Sequence, residues 1–576
     1  MTTRASMGGF ELFTQIAFGT PFDPKKVKKI KNENSRRNKR KRLKETQNEQ
    51  TDYHFSKKRN SKHESSDSSE DSEIEANSEA PKIAVKKKEK KRLSAMQLFK
   101  IRKEEVAHFR KVNRIYLTGE DVPDPIEEFN QLVTDYGVDD TILHNIYNLG
   151  YSKPTPIQMQ ALPLMLHNRQ ILASAPTGSG KTAAFLVPLI HSLKTHEEGG
   201  LRAVIIAPTR ELVKQIHSFC LKLSEGTSVR SVVIENVKEI EKNPKFLEEH
   251  DILISTPNRL IYMLKNDPPI VTIKNVQWLI VDECDKLFET GKEGTSFRDQ
   301  LAFIYNACDS SNLKRALFSA TFSQEVETWC KLYLDSLVCV SIGAKNSAVQ
   351  SVKQELLFVG CEGGKLFALR NSFQEGFMPP CLIFVQSKER AKELYSEIVY
   401  TQQRVGVIHA DLSQEERDKV VKNFTDGKIW TLICTELMGR GIDFKDVKLV
   451  INYDFPPSGI AYIHRIGRTG RAGATGRAIT YFTSDDVENL KTIAQVIKDA
   501  GCEVPSYIMN LKTKKKRRTE FNRPIKREKI TTASTYDVER HINNKKRKKQ
   551  NEKEGCVLVP CIYSYVYTAG IKICIK

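Results

Sequence analysis

Two tandem doubly wound parallel α/β sheets, with disordered basic tails at both ends, are the fold class this sequence predicts. Three observations predict it. A glycine loop stands between a short apolar run and a helical pattern. Continuous apolar runs, of the kind that fill parallel strands covered on both faces, then alternate with helical spacing across 125–500. The basic charge sits at the two ends: the formal net charge is +20, residues 1–100 hold 25 Lys/Arg against 14 Asp/Glu, residues 511–554 hold 17 against 6, and 101–510 hold 47 against 51. A chain of 576 residues exceeds what one core serves, so two or more domains are expected.

The boundaries follow from composition. Residues 1–105 form a charged tail: 25–44 is basic, 64–79 is Ser/Asp/Glu-rich and 86–92 is basic again. Such blocks bury too little apolar surface to offset chain entropy, so disorder is expected. Phe10, Leu12, Phe13, Ile16 and Phe18 are apolar enough to dock on a partner. Helical spacing at 95–116 leads into a flanking segment, 106–124. The first globular domain is placed at 125–343, a small polar linker at 344–351, the second domain at 352–500, and a basic tail with an apolar end at 501–576. The span 505–554 is expected to be disordered. The end, 556–576, is broken by Pro560, Gly570 and Lys572 and is marginal for a membrane helix, so no membrane is expected. Twelve cysteines show no C-x-x-C pair, which argues against a zinc ribbon or a disulfide framework and suits a reducing compartment. The first ten residues hold no long apolar region, so no secretory leader is expected.

The chemistry begins at Pro154-Thr155-Pro156-Ile157-Gln158. An amide side chain offers a donor and an acceptor, which suits the edge of adenine, and an upstream aromatic can stack on that base. Next comes Ala175-Pro176-Thr177-Gly178-Ser179-Gly180-Lys181-Thr182, after the apolar run Ile171, Leu172, Ala173. Its glycines let backbone N–H groups face phosphate, Lys181 can reach the β- and γ-phosphates, and the Thr182 hydroxyl can ligate Mg²⁺. A bare glycine turn is the bland alternative; a strand before and a helix after weigh against it.

The apolar run 203–207 ends in Pro208-Thr209-Arg210, and 252–255 ends in Thr256-Pro257-Asn258-Arg259. Loops at the carboxyl ends of parallel strands bind ligands, and hydroxyls with an Arg suit phosphodiester contacts. Taken singly, each would more often be a helix cap. The strand Trp278-Leu279-Ile280-Val281 ends in Asp282-Glu283-Cys284-Asp285. Asp282 is placed for the metal and Glu283 for the attacking water, while Cys284 reads as a small packing residue. Ser319-Ala320-Thr321 follows another strand. In the second domain, Gln414 and Arg417 start a helix, Thr435 ends a strand, and His464-Arg465-Ile466-Gly467-Arg468-Thr469-Gly470-Arg471 spaces three arginines at i, i+3 and i+6, close to one helical face. Arginines in a domain without a phosphate loop suggest fingers that reach a phosphate held by the other domain.

As an ordered set these residues resemble the DEAD-box RNA helicases, across about residues 125–500. The resemblance implies two RecA-like domains, ATP and Mg²⁺ as cofactors, and RNA as partner. It implies that Phe129 and Gln158 recognise adenine, that Asp443 contacts the ribose, and that Lys181 holds phosphate, with Thr182 and Asp282 at the metal. Glu283 then activates water, and Arg468 and Arg471 meet the γ-phosphate. Ser319 and Thr321 couple the two sites. Pro208, Thr209, Arg210, Thr256, Arg259, Gln414, Arg417, Thr435 and Gly441 hold RNA backbone or support the residues that do. Cys284 and Gly439 stand where the family usually has Ala, and Glu436 where it has Asp. No Gly-Gly pair lies between Leu212 and Ile252. The lead-in 119–126, the phosphate loop and the basic tails also resemble the subgroup acting in small ribosomal subunit assembly. That implies pre-rRNA, pre-ribosomal proteins, a monomer, and a nuclear, nucleolar location. Two other readings use the same residues: an ATP-gated RNA clamp or assembly scaffold with turnover only for release, and a DNA translocase.

Overall fold

The computed structural model describes residues 95–287, 297–322, 324–343, 351–374, 377–400, 404–436, 444, 446–471, 474–511, 527, 529–530, 564–568 and 571–575. The chain divides into two units at 105/106. Of the first unit only the opening of helix α1 (Ala95–Val112) is described. The second unit holds both sheets.

The first sheet contains β1 (Ile115–Thr118), β2 (Ile171–Ser174), β3 (Ala203–Ile206), β4 (Ser231–Val233), β5 (Ile252–Ser255), β6 (Trp278–Val281), β7 (Lys314–Ser319) and β8 (Val338–Ile342). Their order is β1-β8-β2-β7-β6-β3-β5-β4. All pairings are parallel except β1 with β8. The apolar runs are fully buried, as strands covered on both faces require: every residue of β2, β3, β5 and β6 is buried. Strand β1 is a difference from expectation. Composition makes 106–124 a flanking segment, yet 115–118 pair with β8 and extend the sheet. Four residues with a half-exposed burial pattern carry too weak a period to be read as a strand.

The strand order places the chemistry. Neighbours β2, β7 and β6 end in the phosphate loop, Ser319-Ala320-Thr321 and Asp282-Glu283, while β3 and β5 end in the Pro208 and Thr256 loops. One edge of one sheet therefore carries a nucleotide half and a second half beside it. Helices α2 (Asp140–Asn148), α3 (Pro156–Leu166), α4 (Lys181–Leu193), α5 (Arg210–Leu223), α6 (Pro257–Lys265) and α7 (Cys284–Leu287) belong to this domain.

The second sheet runs β11-β12-β10-β13-β14-β9-β16-β15. Its parallel body is β9 (Val352–Phe358), β10 (Cys381–Val385), β11 (Val405–Ile408), β12 (Thr431–Thr435), β13 (Leu449–Asn452) and β14 (Gly476–Phe482). Helices α8 (Glu362–Gln374), α9 (Lys388–Ile398), α10 (Gln414–Thr425), α11 (Gly459–Ile466) and α12 (Val487–Asp499) cover it. The sheet separates two apolar clusters: Leu382, Phe384 and Val450 in one, Cys381, Ile383 and Ile451 in the other. The domain does not stop at 500. Helix α13 (Ser506–Met509) packs Ile508 against the core beside α12, and Ile530 and the Arg527 side chain are buried in the same domain. At the far end, β15 (Ser564–Thr568) and β16 (Ile571–Ile575) form an antiparallel hairpin, and Ile573 of β16 pairs with Phe358 of β9. Tyr, Val and Ile runs around a Gly favour strands over the helix weighed from hydropathy. No described helix is long and apolar enough to cross a membrane.

Candidate active site

The phosphate loop joins β2 to α4 and is locked from one side by Gln158. Helix α3 opens with a capping box: the Gln158 Oε1 accepts from Thr155 N at 2.9 Å. Its Nε2 donates to Gly180 O at 3.0 Å, and Thr155 Oγ1 donates to Ser179 O at 2.7 Å. Gly180 has φ +86°, and a Cβ there would sit 2.5 Å from Gln158 Nε2, so both backbone and space demand glycine. Gln158, fully buried, thus holds the phosphate loop through both ends of its amide. Phe129 corrects an expectation. It is 3 % exposed, belongs to the core, and meets Tyr147 edge-on at 6.3 Å, so the ring offers no open face for stacking. An aromatic far upstream in an apolar context is satisfied more fully by the core.

Charged groups converge on the loop. Lys181 Nζ donates to Ala175 O at 2.7 Å and Pro176 O at 3.0 Å. Loss of solvent pulls its ammonium down to about 8, against the pull of Asp282 and Glu283. Asp282 is buried, and burial followed by the Glu283 charge pushes its carboxyl up to about 7. Glu283 holds φ +47°, a left-handed strain for a Glu, fixed by its N–H on Asp282 Oδ1 at 2.9 Å. Glu283 Oε2 and Ser179 Oγ are buried without a partner among the described residues. Asp282 with the Thr182 hydroxyl is a hard-oxygen donor set. Among the described residues no group of three or more His, Cys, Asp or Glu forms a cage for a metal. That set suits Mg²⁺ held jointly with phosphate oxygens. Cys284 is fully buried and its thiol is pushed well up by burial, as a packing residue requires.

The second domain completes this site. His464 Nε2 lies 2.7 Å from Asp285 Oδ2, and Asp285 also accepts from Ser319 Oγ at 2.5 Å and Thr321 Oγ1 at 3.1 Å. Ser319 and Thr321 therefore meet the second domain through Asp285, a contact of Asp285 with His464 that the spacing did not reveal. Thr177 Oγ1 donates to Gly467 O at 2.8 Å. Arg468 NH2 is 3.8 Å from Glu283 Oε1, and the Arg471 side chain lies against Gly178, where a Cβ would be 3.0 Å from its Cγ. The single helical face expected for three arginines is not what forms. Helix α11 ends at Ile466; Arg468 and Arg471 follow its C-cap, Gly467, and bond back to His464 O and Gly467 O. Arg465 turns inward to Asp454 O at 2.8 Å and Glu436 at 3.4 Å. The glycine cap separates one structural arginine from two that meet the phosphate loop.

The neighbouring half-edge carries the residues expected at RNA backbone. Thr209 caps α5 through Leu212 N at 3.3 Å, whereas Thr256 makes no side-chain cap bond at α6. Arg259 donates to Ile234 O and Glu235 O. Burial, then the nearby Arg210 charge, lowers its guanidinium. Two close cations favour an anion between them. Arg210 is exposed and Pro208 buried. Gln414 and Arg417 behave differently from expectation: they donate to Glu211 Oε1 at 3.2 and 2.9 Å, and Lys214 Nζ meets Asp418 Oδ2 at 2.8 Å. They bridge the two domains, because the buried Glu211 carboxylate needs donors and a countercharge. Thr435 is half-buried at the end of β12. Gly441 and Asp443 lie outside the described residues.

Two α/β domains closed over one phosphate loop, with carboxylates from one side and guanidinium groups from the other, define a nucleoside-triphosphate hydrolase of the two-domain helicase class. Comparison carries this further. Residues 155–329 match the DEAD/DEAH box helicase family and residues 364–473 the helicase conserved C-terminal domain. The chain is 53% identical over 472 residues to the probable ATP-dependent RNA helicase DDX52 of Bos taurus, covering 81% of this chain and 79% of that one. It is 40% identical over 471 residues to the ATP-dependent RNA helicase ROK1 of Eremothecium gossypii, covering 78% and 80%. Among solved structures, S. cerevisiae Dbp5 bound to RNA and ADP BeF3 superposes with TM-score 0.57 and 28% identity over 64% of this chain and 93% of that one. The chain belongs to the DEAD-box family of ATP-dependent RNA helicases.

Proposed function

We propose that this helicase uses Mg²⁺–ATP to part short duplexes or remodel protein–RNA complexes on pre-rRNA during small ribosomal subunit assembly, as a monomer in the nucleolus. The observation that carries the mechanism is the meeting of Arg468 and Arg471 with Glu283 and Gly178 across the cleft. Asp282 and Thr182 would hold Mg²⁺, which when bound would supply charge neutralisation at the phosphates. Lys181 and the loop amides fix the phosphates, Glu283 takes the proton of the attacking water, and Arg468 with Arg471 stabilises charge on the transferring group. Because Arg468 and Arg471 belong to the second domain, hydrolysis needs the cleft closed, and RNA lying along both domains favours closure. The contacts expected are to phosphate and sugar, so binding is not base-specific. The basic tails add salt-dependent affinity for polyanions. The relatives named DDX52 and ROK1, together with the lead-in and tails, support the ribosomal assignment.

ATP hydrolysis stimulated by RNA, and RNA crosslinks recovered from cells, test this reading. Stimulation with crosslinks concentrated in pre-rRNA is expected; crosslinks spread over messenger RNA with none in pre-rRNA overturn the assignment. A clamp is favoured by the Glu211–Arg417 and Lys214–Asp418 bridges, which hold the domains together away from the nucleotide. A Glu283→Gln chain that grips RNA and still supports the cellular role would favour the clamp.

A further inference from the structure

The carboxyl edge of the second sheet carries a buried ion network that the reaction as described does not use. Asp454 follows β13, Glu362 opens α8 after β9, and Asp486 follows β14. Three cations face these three carboxylates. Lys365 Nζ reaches Glu362 at 2.7 Å and Asp454 at 3.1 Å. Arg390 reaches Asp454 twice, at 2.6 and 2.7 Å, and Glu362 at 2.9 Å. The third is Arg527, from the tail expected to be disordered. Its NH1 donates to Glu362 Oε1 at 2.8 Å, its NH2 to Asp486 Oδ1 at 2.8 Å, and its Nε to Gln386 Oε1 at 2.9 Å, with Asp454 Oδ1 at 3.7 Å. Every nitrogen of the fork is used. Three residues on, Ile530 is buried and its N–H donates to Glu393 at 3.1 Å.

Charge decides what this means. The side chains of Asp454, Asp486 and Lys365 are fully buried and that of Arg527 is 3 % exposed. With Arg527 the cluster balances three against three. Without it one buried negative charge stays uncompensated, the costly case for a buried ion network. Burial pushes the Asp454 carboxyl upward, but the Arg390 bonds and the Lys365 and Arg527 charges hold it far below the usual range. The network also touches the machinery. The Asp454 backbone oxygen accepts from Arg465 NH1 at 2.8 Å. Arg465 lies on α11, next to His464, and the chain leaving α11 presents Arg468 and Arg471 to the phosphate loop.

We propose that Arg527 is a positioning residue for ATP hydrolysis: the tail's guanidinium closes the carboxylate network on the second sheet and so fixes Asp454, Arg465 and the arginine-bearing end of α11. Arg527 and Ile530 of the tail then belong to the second domain. Nucleotide grip belongs to the first domain, so losing Arg527 affects turnover more than nucleotide affinity.

The test uses the full chain with Arg527→Gln, assayed well below its melting temperature beside the unaltered protein. RNA-stimulated kcat should fall about tenfold, since small misplacements of reacting groups cost that much or more. KM for ATP should change less than about twofold, as expected when only transition-state contacts are lost. Adding Asp486→Asn restores charge balance, two against two, and should recover part of kcat. An unchanged kcat per folded molecule, even with a lower melting temperature, overturns the proposal, because Arg527 would then be a strap alone. A loss that Asp486→Asn leaves untouched overturns it as well. If Arg527→Gln fails to fold, Arg527→Lys keeps the charge and breaks the fork; its kcat should still fall, and an unchanged kcat overturns the proposal.

Discussion

The carboxyl edges of the two sheets have the same architecture and opposite electrostatics. At the first, Lys181 and Asp282 are pushed toward their neutral forms, the one down to about 8 and the other up to about 7, and Glu283 Oε2 has no partner among the described residues. At the second, Asp454 is held far below its ordinary range, while Arg390 and Arg527 are raised despite burial. A cluster whose members stabilise each other's charge is complete. A cluster whose members lean toward neutrality is built around charges from elsewhere, here the phosphates of ATP and the divalent cation proposed above. Sheet topology alone does not distinguish a reactive edge from a structural one; the charge balance does.

Substitutions should therefore act oppositely at the two edges. The largest effect is expected for Glu283→Gln. It keeps shape and removes the base, so RNA-stimulated hydrolysis should fall by roughly 10²–10⁴-fold, with ATP binding retained. Single-turnover phosphate release checks this, and near-normal release would remove Glu283 from the chemistry. Next is Asp454→Asn. It leaves Lys365, Arg390 and Arg527 facing two carboxylates, so denaturant unfolding of the second domain should show a loss of roughly 3–5 kcal/mol. A neutral result would mean that the network is not closed. Third is Asp282→Asn, which removes a carboxylate whose ionisation burial opposes. At pH 8 it should raise nucleotide-free stability by roughly 1–2 kcal/mol while abolishing hydrolysis. A destabilised variant would place Asp282 with Asp454 rather than against it.

The same contrast explains what could be read in the sequence. Phosphate-loop glycines, strand-tip carboxylates and paired arginines are local patterns; the order of the first sheet sets the loop beside the carboxylates, and the arginines meet them from the second domain. The role of Asp285 and His464 was not legible, because it arises from residues 179 positions apart meeting across the cleft. Arg465 was grouped with Arg468 and Arg471 because spacing cannot show that Gly467 ends the helix between them. Phe129 looked like a stacking ring because its burial depends on Tyr147 and the core around it. Arg527 was hidden most fully. One cation among many in a basic tail has no local signature; only three carboxylates from three distant loops single it out.

The smallest effect, and the sharpest check of the reactive edge, is its pH response. Asp282 has a folded value near 7, above its ordinary one, so in the nucleotide-free protein it carries a proton below that pH. The sign for stability follows: a raised carboxyl favours the fold as pH falls from about 7 toward 4, and that gain is lost as pH rises through about 7. Metal binding has the reverse sign, because a cation needs the carboxylate and must displace the proton. Apparent affinity for Mg²⁺–ATP should thus fall by up to about tenfold per unit below pH 7. Above about 8 the Lys181 ammonium loses its proton and its hold on phosphate, so affinity should fall again. The optimum lies between the two. Titrating a fluorescent ATP analogue with Mg²⁺ from pH 6 to 9 measures both limbs, and Lys181→Arg should carry the alkaline limb upward while leaving the acid limb in place. A flat profile would mean that the two groups are already paired within the protein, as Asp454 and Arg390 are at the other edge.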